Sequence, residues 1–163
     1  MTAVPHDLRR ATPSYASSSE GRFSQRQMVL AVEKLQESNS LGHPSLHADL
    51  DSLARECAFA NWDGYDAAPV SLASIQAARR LLNETPPAAK GVSLSVGAEP
   101  DGHATVEWHK APSWTLSVSL SPTGDLHYAA LHGAGVTYGT EHFEGDGRLP
   151  ERIRDLIITI ERA

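Results

Sequence analysis

Histidine is the residue type with most to offer chemistry in this chain. There are eight, at His6, His43, His47, His103, His109, His127, His132 and His142. An imidazole can bind a metal or move a proton near neutral pH, but either role needs partners at the right spacing. His43 and His47 are four residues apart, the interval that puts two ligands on one helix face. Pro44 biases His43 away from regular helix, which spoils that geometry. Further along, Thr105, Glu107 and His109 alternate as one face of a strand, and Ser117 and Ser119 mark the wet face of the next. With His127 on that face, Glu107, His109 and His127 become candidate metal ligands for a small metal-assisted hydrolase. A polar, solvent-facing sheet is the preferred alternative, because converging ligands also need a supporting shell that one sequence does not display.

Nucleophile chemistry finds less support. There is no GxSxG elbow and no HExxH helix. Cys57, the only cysteine, extends the apolar spacing of Leu46, Leu50 and Leu53, which suits a buried structural thiol. Gly133, Gly135 and Gly139 lead into a strand, whereas a dinucleotide-binding glycine loop must open a helix. His142 and Glu144 form an H-x-E pair without the cysteines of a zinc deaminase. Nothing in the sequence calls for a cofactor.

The segment from Asn61 to Pro69, NWDGYDAAP, is the densest in unusual side chains. Asp63 followed by Gly64 suits a tight turn with positive φ, and Trp62 and Tyr65 each combine a large apolar body with a polar tip. The preferred expectation is that both rings staple helices onto the sheet, with Trp62 largely buried. The alternative is a recognition loop presenting Trp62, Asp63, Tyr65 and Asp66 to a partner.

These groups must be positioned by a sequence whose period changes once. Residues 1–21 carry Pro5, Pro13 and a serine run with no apolar period, and are expected to be a disordered tail. A single domain is then expected over 22–163, with N-terminal helices over 22–60 and the motif loop, a helix, the sheet and a closing helix over 61–163. Helical spacing runs through Met28, Ala31 and Leu35, then Leu46, Leu50 and Leu53 up to about Ala60, then Leu72, Ile75, Ala78 and Leu82 behind a Ser71 cap. After Gly91 the period becomes 2, most clearly where Trp114, Leu116, Val118 and Leu120 alternate with Thr and Ser. Short links between five such runs require an antiparallel meander. Ile153, Leu156, Ile157 and Ile160 then make a closing helix that packs on the sheet, giving an α+β fold.

Charge narrows the partners. The net charge is -6. Met1 to Arg55 is balanced, so the whole acidic excess lies from Glu56 onward, where it disfavours nucleic acid and anionic lipid and favours a basic protein. A lone cysteine and the lack of a long apolar run point to a cytoplasmic protein that no membrane segment anchors.

The run NWDGYDAAP continued by SLASIQAARRLL resembles a family of small bacterial proteins with a WDGYGAxP-like motif, an amphipathic helix, and antiparallel strands with a charged residue beside tryptophan, as in Glu107 and Trp108. The resemblance spans Ala60 to Ala163, and Asp66 stands where that pattern more often has glycine. It implies the architecture and transfers no activity. The functional expectation is therefore a non-enzymatic interaction or regulatory protein, an accessory, immunity or antitoxin-like partner in a bacterial operon.

Overall fold

Alternation of small polar and large apolar residues from Ser93 to His142 builds five strands, and three amphipathic helices supply the layer that covers one face of them. The computed structural model describes residues 42–143 and 148–163, all within one compact unit. Its order is α1 (Gly42–Glu56), α2 (Leu72–Glu84), β1 (Ser93–Ala98), β2 (Ala104–Ala111), β3 (Trp114–Leu120), β4 (Asp125–His132), β5 (Gly135–His142) and α3 (Glu151–Arg162). The tail expected at 1–21 and the helix expected around Met28 to Leu35 lie outside the described residues. Among the described residues no helix is long and apolar enough to cross a membrane.

Each helix follows from local chemistry. Pro44 sits in the first turn of α1, where its missing N–H costs nothing. Since α1 starts at Gly42, the His43 backbone is helical, contrary to the sequence expectation. The helix ends at Glu56, short of Ala60, and the Cys57 carbonyl instead accepts the Val70 N–H at 2.8 Å. Ser71 caps α2, its hydroxyl accepting the Ala73 N–H, and buries Ile75, Ala78, Leu81 and Leu82 behind it. In α3 the stripe Ile153, Leu156, Ile157 and Ile160 is buried as its spacing requires. Lys110 of β2 donates to the Glu161 and Ala163 carbonyls, a cation placed at the negative end of α3.

The sheet is an antiparallel meander in the order β1-β2-β3-β4-β5. Its register stacks one residue from every strand into cross-strand rows. On the helix side these rows run Leu94, Trp108, Leu116, Ala130, Thr137 and Val96, Val106, Val118, Tyr128, Gly139. Trp108, Leu116, Val106 and Val118 are fully buried there. The opposite rows run Gly97, Thr105, Ser119, His127, Thr140, then Ser95, Glu107, Ser117, Ala129, Tyr138, then Ser93, His109, Thr115, Leu131, Val136. No described helix lies over that second face, which we call the open face.

Candidate functional site

Residues 61–67 fold into a self-bonded loop. The Asn61 N–H donates to the Ala67 carbonyl (2.7 Å), the Asn61 side-chain oxygen accepts the Asp66 N–H (2.9 Å), and Asp63 Oδ1 accepts the N–H groups of Tyr65 (2.7 Å) and Ala67 (3.2 Å). Two residues without the freedom of glycine hold positive φ, Asn61 at 62° and Asp66 at 65°. Asp and Asn tolerate that region better than other side chains, and a glycine would sit there without steric cost. Trp62 is half-buried against the core and its indole N–H donates to the Ala68 carbonyl at 2.8 Å. Tyr65 does not staple the helices as expected: it is 84% exposed, because the Asp63 bonds turn the loop outward at that point. Of the four residues expected in a recognition loop, Trp62 and Asp63 form the frame, while Tyr65 and Asp66, the latter at the turn, are exposed.

The same frame holds a second turn. The Ala68 N–H donates to the Pro100 carbonyl (2.7 Å) and the Ser71 N–H to the Gly102 carbonyl (2.9 Å), docking the β1–β2 hairpin tip onto the segment after the motif loop. Gly102 is required here. Its φ is +87°, and a Cβ would lie 2.7 Å from the Pro69 carbonyl oxygen.

That tip carries Glu99, Asp101 and His103, whose potential ligand atoms all lie within 4.8 Å of one another. Asp101 Oδ1 accepts the His103 backbone N–H (3.1 Å), and Oδ2 lies 3.4 Å from His103 Nδ1. The Ser119 hydroxyl donates to Glu99 Oε2 (2.9 Å). Having given its one proton, it can only accept from His103 Nδ1 (3.2 Å), so that nitrogen carries the ring proton. The imidazoles of His103 and His127 stack with centroids 5.9 Å apart. Together with Ser117 and Ala129 these side chains line a cleft of about 420 Å³ on the open face.

The register also locates the expected metal ligands. Glu107, His109 and His127 share the open face, but occupy three successive rows, with His127 two strands from the others. His109 bonds Thr115 and His127 bonds Thr140, each through Nδ1. The sheet therefore does not gather these three, and His127 instead lies beside His103. Sequence reasoning passed over Glu99, Asp101 and His103 because they bracket a turn. Their alternate spacing across Asp101-Gly102 was the available signal, since hairpin arms bring flanking residues together.

Near this cluster, His142 Nδ1 lies 3.0 Å from Asp125 Oδ1, and the hydrogen bond from His142, assisted by one from Thr123, holds the Asp125 carboxyl below its ordinary range. Cys57 is buried as expected. Desolvation, with the Glu56 charge adding to it, pushes its thiol up, the reverse of what a nucleophile needs.

A different corner of the open face is apolar. Leu131 pairs with Val136 and Ala129 with Tyr138, so these side chains form one contiguous patch. Val136 is 66% exposed and Tyr138 79%. Comparison of the chain with family models, curated proteins and solved structures finds no match, so these geometries carry the functional argument by themselves.

Proposed function

We propose that this chain is a non-enzymatic interaction protein that takes a partner protein on the apolar corner of its open face. One observation carries the proposal: β5 is inverted. In β2 and β3 the large apolar side chains point to the helices, as do Leu126 and Tyr128 of β4, whereas β5 sends Thr137, Gly139 and Glu141 that way and turns Val136 and Tyr138 outward beside Leu131 at the end of β4. An exposed apolar patch at a sheet edge invites association. The Phe143 N–H donates to the Gly124 carbonyl, so the antiparallel alternation points the backbone groups of Val136, Tyr138, Thr140 and His142 away from β4, where an added strand would find them.

Glu99, Asp101 and Asp125 on the same face favour a partner with basic character. Acidity and the single buried cysteine support a cytoplasmic setting, and an accessory, immunity or antitoxin-like role within a bacterial operon is the finer form of the proposal, supported by an acidic domain whose sequence carries no nucleophile or cofactor motif. The expected result of affinity capture from the native host is one dominant protein, retained less as salt rises and lost from a Val136→Lys, Tyr138→Glu double variant that still folds. Equal retention by the double variant would remove the apolar corner as the working surface. Repeated empty captures alongside turnover in a substrate screen would replace the interaction reading with an enzymatic one.

A further inference from the structure

We propose that the β1–β2 hairpin tip is a divalent transition-metal site in which Glu99, Asp101 and His103 bind one zinc-class ion facing the His127 side of the cleft. This goes beyond the interaction reading and does not depend on it.

The donors are mixed, and each is already braced. Ser119 holds one oxygen of Glu99 and the His103 backbone N–H one oxygen of Asp101, whose second oxygen lies 3.4 Å from His103 Nδ1; with the ring proton on Nδ1, His103 offers Nε2 to an ion. The His103 ring is oriented through Nδ1 by Ser119, with Asp101 close by, and the face of the ring lies against His127. Supporting bonds of this kind fix ligand orientation and raise affinity. The tip itself is tied down by the Ala68 and Ser71 N–H groups, and the Ala68 peptide is fixed in turn by the Trp62 indole. The distinctive motif thus acts on the cluster from behind.

Electrostatics points the same way. Two carboxylates converge here, and the salt bridges of the described residues give neither of them a lysine or arginine partner. A divalent cation would neutralise both. Bonds to zinc are about 2.0–2.2 Å long, so donors sharing one ion stand up to about 4.4 Å apart, and those here, within 4.8 Å of one another, must close a little to share it. The imidazole selects a transition ion over magnesium or calcium, which prefer oxygen alone. Three protein ligands leave positions for water.

The test is calorimetric titration of the full chain with Zn²⁺ in metal-free buffer, with Co²⁺ absorption as a second readout because its visible bands report coordination by nitrogen and oxygen. One saturable equivalent is expected, with affinity falling by more than about tenfold in Glu99→Gln, Asp101→Asn and His103→Ala. His109→Ala and His142→Ala should leave it unchanged. Unaltered circular dichroism in the near-isosteric Glu99→Gln and Asp101→Asn variants separates ligand loss from misfolding. No saturable binding, or binding that survives all three ligand substitutions, overturns the proposal, as does loss only on removing His109 or His142, which would leave an adventitious ion only.

Discussion

β3 and β5 lie on either side of β4 and alternate with equal regularity, yet they present opposite chemistry to the helices. From β3, Leu116, Val118 and Leu120 enter the core and Thr115, Ser117 and Ser119 face solvent. From β5, Gly135, Thr137, Gly139 and Glu141 face the helix side, and Val136 and Tyr138 face out. The glycines have a use there: a Cβ at Gly139 would lie 2.7 Å from the Tyr128 hydroxyl, so the tyrosine ring folds across the space that a side chain would fill. The apolar layer therefore ends at Tyr128, and beyond it the hydrophobic residues of the sheet change sides. Alternation shows that a strand has two unlike faces, but only register decides which face meets the core.

Register in this hairpin is set by a two-residue connection, Gly133-Ala134, with Gly133 at φ +70° and His132 opposite Gly135. That is why the five strands were legible in the sequence while the inversion was not: Gly133 and Gly135 allow two hairpins that differ by the one-residue slip that exchanges faces. The open-face cluster was half legible for a related reason. Period 2 put Glu107, His109 and His127 on one face, but their separation across rows depends on how three strands align. Asp63 and Gly64 announced a turn, whereas the outward throw of Tyr65 depends on side-chain bonds within the loop, from Asn61 and Asp63 to backbone N–H groups, that apolar spacing does not encode.

The sharpest way to test the two faces against each other is to truncate neighbours on β2. Trp108→Ala, which empties a fully buried site, is expected to destabilise by about 3–5 kcal/mol, and Glu107→Ala by no more than about 0.5 kcal/mol. Denaturant midpoints measure both. Comparable losses would mean that the open face is covered in the free protein.

The motif loop should yield an intermediate effect. Trp62→Phe keeps the ring on the core and removes only the bond to the Ala68 carbonyl, so a loss of about 1 kcal/mol is expected, with Asp63→Ala at about 1–2 kcal/mol for two backbone donors left without their acceptor. Faster amide exchange at Gly102 and His103 in Trp62→Phe would show that the loop braces the hairpin tip. Unchanged exchange there would confine Trp62 to packing.

On β5 the expected stability change is small and its sign is the informative part. Tyr138→Thr removes an exposed ring and puts a β-branched residue on an edge strand, so the unfolding midpoint should stay within about 0.5 kcal/mol of the parent while partner capture falls. A loss of several kcal/mol would show that Tyr138 is packed in solution and that the inversion is not a docking feature.

The weakest effect, and the most local, belongs to the pair where β4 and β5 meet at their polar ends. Asp125 is held below its ordinary range chiefly by the hydrogen bond from His142, with Thr123 contributing. A carboxylate whose folded value is depressed adds stability above its unfolded value and loses it as pH falls through the folded one, so any contribution should fade on the acid side of the usual aspartate range. The pair is solvent-exposed, and screening keeps its effect on global unfolding small. Its clearest readout is therefore the Asp125 carboxyl carbon in a pH titration by NMR. The midpoint should lie below that of an unperturbed aspartate in the parent protein and return toward it in His142→Ala. An ordinary midpoint in both proteins would mean that the His142 bond is open in solution, and that the polar end of β5 is as loosely held as its apolar end is exposed.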